Sequence, residues 1–243
     1  MLVHRYPPPS TYGRLRVERS SLAPAHWLEQ RPPGDDGFGT VAGVCAPGFA
    51  AYARVLHPAL LGTEPVRWDR VAAVYDGRPV SAATRWHELI GVEDPFLYRN
   101  DDTPAVPAVW DEHPHEGPVP ADVARTLIAV LSRHTRTPDS CWFGLWEGYG
   151  HYDWDGVPVF RTPGRDEILL AGPLNDADSP TWDAPEAPPE IPDLWWPQDR
   201  AWCVGGDVDL VSTYVGGSAA CIADLLASPH LEAHPVTETA AVN

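Results

Sequence analysis

Lysine is absent from this chain: all 17 basic residues are arginine. A Walker A loop, a pyridoxal phosphate Schiff base and a kinase-type ATP site each need a primary ammonium group, so pyridoxal phosphate and P-loop nucleotide binding are excluded. Long hydrophobic runs are also missing. The longest apolar windows, 126–131 and 168–174, fall far short of the roughly 20 residues that cross a bilayer. The first residues, Met-Leu-Val-His-Arg-Tyr-Pro-Pro-Pro, show neither an apolar stretch nor a small-residue cleavage site, so no secretory signal is expected. The resulting expectation is a soluble, cytoplasmic protein. Cysteine is scarce, and Cys45, Cys141, Cys203 and Cys221 lie far apart in apolar runs without a C-x-x-C. They read as small buried thiols rather than a disulfide frame or a zinc knuckle.

Acid is abundant. The net charge is −17, and residues 1–31 carry five arginines against Glu18 and Glu29, which leaves −20 on the remainder. Such a surface repels a phosphate backbone, which disfavours nucleic acid as a partner. With 243 residues and 44% hydrophobic content, a sizeable core is available. Residues 1–37, with Pro7-Pro8-Pro9 and Pro32-Pro33-Gly34, read as a basic, proline-rich arm that is only partly ordered. Residues 38–230 read as one globular domain and 231–243 as a flexible tail.

Within the domain, short apolar runs predict strands at 40–45, 51–56, 141–146, 157–161, 167–171 and 202–210. Helices are expected over 67–75, 82–90, 121–134 and 219–227. The clearest is 121–134, with Val123, Leu127, Val130 and Leu131 on one side. Ser218 is placed as a helix N-cap. Strands and helices in this mixed order imply an α+β domain, a mixed or antiparallel sheet with packed helices. The acidic, proline-rich segment 175–199 reads as an insertion that covers the sheet as a lid or offers an aromatic surface.

Three segments, GFAAYARVLHP (48–58), CWFGLWEGYG (141–150) and WWPQDRAWCVGGDVDLVSTYVGG (195–217), resemble signature blocks of an uncharacterised bacterial protein family with no assigned activity. The resemblance spans about residues 43–230. It implies domain extent and no chemistry.

Two constellations stand out. Of 11 tryptophans, Trp142, Trp146, Trp195, Trp196 and Trp202 cluster in the second half and are candidates for a binding surface, since tryptophan joins a large apolar area to a polar handle. Glu147, His151, Asp153, Asp207 and Asp209 are candidates for a divalent metal or an acid/base pair. Asp207 and Asp209 would share one side of a strand. The run 111–116, Asp-Glu-His-Pro-His-Glu, offers further metal-type ligands in a proline-broken loop. The Gly37–Gly43 stretch precedes a predicted strand, the wrong context for a dinucleotide loop. No nucleophile elbow is present. The favoured expectation is an intracellular module that uses an aromatic, acidic face to bind a small molecule or a protein. The alternative is a metal-dependent or acid/base hydrolase built on the carboxylates.

Overall fold

A computed structural model describes residues 6–29, 39–75, 77–93, 106–149, 152–179 and 190–242. Twelve strands are present among them: β1 (Thr11–Tyr12), β2 (Leu15–Val17), β3 (Ala51–Leu56), β4 (Ala59–Leu61), β5 (Glu64–Val66), β6 (Cys141–Trp146), β7 (Val159–Thr162), β8 (Arg165–Gly172), β9 (Leu194–Pro197), β10 (Trp202–Gly205), β11 (Ser212–Gly217) and β12 (Ala233–Val236). All but β4 and β5 join one sheet, in the order β1-β2-β8-β6-β9-β10-β11-β3-β12, with β7 also on β8. Every strand pairing in it is antiparallel.

This sheet overturns the expected α+β domain of packed helices. Of the helices α1 (His26–Glu29), α2 (Val41–Val44), α3 (Trp68–Ala72), α4 (Trp86–Leu89), α5 (Ala121–Leu131) and α6 (Ala219–Leu226), only the last two exceed five residues. The physical reason lies in where the strands come from. The segment read as an arm supplies β1 and β2, the segment read as an insertion supplies β9, and the segment read as a tail supplies β12. Proline punctuation marks these stretches as loops, yet a proline can close a strand. Pro197 stands opposite Cys141 at the last pairing of β9. The next bond to the β6 side comes from the Gln198 N–H, which donates to the Ser140 carbonyl (2.8 Å), so the proline occupies a position whose N–H that ladder does not use.

Alternation along the strands divides the core. On one side of the sheet Val55, Phe143, Ile168, Leu170, Trp195, Trp202 and Val215 pack against Val123, Leu127 and Leu131 of α5 and Ile222 and Leu225 of α6. On the other, Tyr52, Leu169, Leu194, Trp196, Cys203 and Tyr214 meet Leu28 of α1 and Val41 and Cys45 around α2. Trp195 and Trp196, adjacent in β9, therefore enter opposite sides, as successive strand residues must. Their burial is nearly complete. The Trp195 indole N–H donates to the Pro192 carbonyl (2.7 Å) and that of Trp202 to the Leu131 carbonyl at the end of α5 (3.1 Å), so neither polar handle is left unpaired. A third cluster, with Trp68, Trp86 and Trp110, closes the end of β3 together with the β4–β5 hairpin, α3 and α4.

Residues 40–45, expected as a strand, form α2. The Thr40 hydroxyl accepts the Gly43 N–H (3.1 Å) as an N-cap, the role for which threonine is selected. This short helix lies directly on the sheet because position 205 is glycine. A Cβ there would stand 2.2 Å from the Val44 carbonyl oxygen, so no larger residue permits the approach. The close contact makes α2 the wall of the cavity described next.

Candidate functional site

The β7–β8 hairpin turns through Pro163 and Gly164, with Thr162 paired to Arg165. Pro163 suits the first central position, and Gly164 supplies the positive φ of +79° that the second requires. The turn thereby fixes Arg165 at the first residue of β8. Its guanidinium lies 4.9 Å from the Trp146 ring centroid, within cation–π range, and forms an ion pair with Asp207.

Two residues further along β8, Glu167 stands opposite Trp146 in the β6 register and opposite Phe160 on β7. It is only 2% exposed. The neighbouring carboxylate, Asp193, lies just before β9 and has both oxygens engaged. The Trp146 backbone N–H donates to Oδ2 (3.0 Å) and the Tyr149 hydroxyl to Oδ1 (2.7 Å).

Charge is costly in this setting. Burial, then repulsion from Asp193, Asp207 and Asp166, pushes Glu167 well above the usual glutamate range, and Arg165 offsets only part of that. Burial likewise pushes Asp193 up to about 6, against the pull of Tyr149, the Trp146 N–H and Arg165. Glu190 is pushed up to about 7, by burial and then by Asp193. Like-charged carboxyls held this close titrate as a set. Tyr149, half-buried beside Asp193, is raised for the same reasons.

Above these groups is a cavity of ≈430 Å³. Its walls are α2 and Gly39 ahead of it, the β7–β8 turn, the loop 206–210 after β10, and Val242. Trp146, Arg165, Glu167 and Asp207 supply its polar side, and Val44 and Leu210 belong to its apolar side. Among the described residues, neither Arg165 Nη1 nor Glu167 Oε2 has a hydrogen-bond partner, although both atoms are buried. Buried polar atoms in native proteins are nearly always paired, so two orphans in one wall need a reason.

The candidates read from the sequence are distributed as follows. Trp146, Asp207 and Asp209 line this cavity. Trp142 and Trp196 meet instead in a smaller cavity of ≈250 Å³ with Gln198 and Arg200, where the Trp142 indole N–H donates to the Gln198 side chain (3.0 Å). Trp195 and Trp202 are core residues beneath α5 and α6. The five tryptophans thus share no single surface. Glu147 and Asp153 are exposed and take no part in the cavity, and His151 lies outside the described residues, as do residues 180–189 of the expected insertion. In the loop 111–116, His113 Nδ1 accepts the Trp86 indole N–H (2.8 Å) and the His115 carbonyl contacts His57 Nδ1 (2.7 Å). Among the described residues no group of three or more His, Cys, Asp or Glu is placed to hold a metal ion. Ser218 caps α6, its hydroxyl accepting the Cys221 N–H (3.1 Å).

Sequence reasoning missed Arg165, Glu167, Asp193 and Tyr149. One signal was available: Glu167 heads the apolar run Ile168-Leu169-Leu170 and shares the side of β8 that holds Leu169, where an unpaired charge is out of place.

No family model matches this chain, and neither a curated protein nor a solved structure does. The fold and site therefore stand on their own geometry. No helix among the described residues is long and apolar enough to cross a membrane.

Proposed function

We propose that the protein is a small-molecule-binding module and that its ligand occupies the cavity between α2, the β7–β8 turn and the loop 206–210. The observation that carries this reading is a ≈430 Å³ cavity lined by Arg165, Glu167 and Asp207, with a buried, partnerless polar atom on each of the first two, Arg165 Nη1 and Glu167 Oε2. Ligand sites combine an apolar lining with a few fixed polar groups and perturbed carboxyls in just this way. The volume suits a small molecule rather than a peptide segment.

The test uses Gly206, which lines the cavity. A Cβ at that position would meet nothing nearer than the Asp193 carbonyl oxygen at 3.8 Å, so Gly206→Leu adds bulk without forcing the backbone. Fragment screening by protein-observed NMR should yield compounds that shift the Trp146 indole N–H in the unaltered protein and fail to do so in Gly206→Leu. If a diverse library leaves Trp146 unmoved, the reading falls.

A second reading, an acid/base hydrolase without a metal, draws on the raised Glu167 and Asp193 carboxyls, since a carboxyl that keeps its proton near neutrality can act as a general acid. It differs by requiring turnover of the bound compound. Asp193→Asn should then abolish turnover while fragment binding persists.

A further inference from the structure

Resting on the cavity as a ligand site, we infer that its ligand class is the uncharged carboxamide-type head, an oxygen acceptor beside an N–H donor. Three observations select this chemistry over a charged head. An anion would face Glu167, Asp207 and Asp209, with Asp193 close behind Glu167 and Arg165 the one cation lining the cavity among the described residues, so the local field opposes it. A cation would need the aromatic ring and the carboxylate that favour positive charge, but the Arg165 guanidinium already occupies both, lying over Trp146 and paired with Asp207. What the lining residues leave unsatisfied, just behind the cavity surface, is a guanidinium N–H donor and a carboxyl oxygen held beside a like-charged neighbour. An amide matches that set. Its carbonyl takes the donor from Arg165, and its N–H groups serve carboxyl oxygens.

Affinity should also depend on the protonation of the carboxyl pair. Glu167 is surrounded by Asp193 ahead of β9, Arg165 and Asp166 on β8, and Asp207 in the loop after β10. Asp193 is in turn faced by Tyr149, Arg165 and Asp207, with Glu190 and Tyr12 close by. While the pair holds a proton, the wall presents a neutral carboxyl. Once it ionises, the added negative charge favours cations over a neutral head.

Benzamide, benzoate and benzamidine have one shape and carry no charge, a negative charge and a positive charge respectively. Each is titrated into the full-length protein, with the Trp146 indole N–H as the readout, assigned by Trp146→Phe. Benzamide should bind most tightly of the three at about pH 5.5, where Asp193, raised to about 6, still holds much of its proton. Benzamidine should gain on it as pH rises and the pair ionises. Glu167→Gln, which removes one of the two ionising carboxyls, should reduce that gain. Preferential binding of benzamidine or benzoate by the unaltered protein overturns the ligand class while leaving the site intact. Failure of all three to move Trp146 overturns the site reading as well. These titrations of the unaltered protein decide the matter even if Glu167→Gln does not fold.

Discussion

Replacing Asp193 with asparagine should remove a specific pH dependence of stability. Burial raises Asp193 from its ordinary 3.8 to about 6. Between these values the native state holds a proton that the unfolded chain has released, so stability falls as pH rises through the window. A shift of this size corresponds to about 3 kcal/mol at 1.36 kcal/mol per unit, or about 6–12 °C in Tm for a chain of this length. Glu190, raised to about 7 with Asp193 as a contributing cause, acts in the same direction. Carboxylates with lowered values act oppositely and at lower pH: Glu18, held at about 2 chiefly by the Ser20 hydroxyl, stabilises above the ordinary glutamate range and loses that contribution as pH falls toward 2. Asp193→Asn also places an amide against the Trp146 N–H and the Tyr149 hydroxyl, where only one of its two groups can accept. That mismatch costs about 1–3 kcal/mol, but it does not vary with pH. The slope is therefore the diagnostic. Denaturant unfolding from about pH 4 to about pH 7 should show a falling curve for the unaltered protein and a shallower one for the variant, in which Glu167 and Glu190 keep the rest of the slope. Parallel curves would refute a buried, proton-holding pair.

Three further outcomes follow from the packing. Gly205→Ala should destabilise by about 3 kcal/mol or more, because the added carbon collides with backbone that must move, whereas Gly206→Ala, with 3.8 Å of clearance, should be nearly neutral; equal denaturation midpoints would contradict the docking of α2 on the sheet. Deleting residues 1–29 removes Tyr12, Leu15 and Leu28, all buried, and at about 2 kcal/mol each the loss of about 6 kcal/mol should be plain by calorimetry, while a Tm within a few degrees of the full chain would show the segment to be dispensable. The four cysteines are free and buried, and burial raises Cys141 and Cys221 to about 12, so Ellman's reagent should label the native protein slowly and the denatured protein at once.

Helix α5 was readable in the sequence because Val123, Leu127, Val130 and Leu131 recur at helical spacing, and all four are buried. Strands β3 and β6 keep the bounds that their apolar runs suggested. Residues 40–45 misled because Val-Ala-Gly-Val-Cys fits a buried strand or a short helix equally well. Packing on Gly205 and the Thr40 cap decide it, and neither is visible in a local window. The strands β2, β9 and β12 were hidden for a related reason: each has three or four residues and gains its stability from neighbours far away in the chain.

The site was half legible for the same physical cause. Trp146, Asp207 and Asp209 drew notice as members of local clusters, whereas Glu167 and Asp193 gain their meaning only when β8, β6 and β9 lie side by side. A charge on an apolar strand is a local inconsistency that folding normally eliminates, since desolvation of an unpaired carboxylate opposes it. Here Glu167 is such a group, beside the hydrogen-bonded Asp193, under a cavity and next to an arginine with an unused donor. Replacing Glu167 with leucine would remove one buried, partly unpaired carboxyl and its repulsion with Asp193 and should stabilise the isolated protein, so stability alone is a poor account of Glu167. The residue makes physical sense if something else completes its hydrogen bonds, and the cavity beside it is where that partner has room to bind.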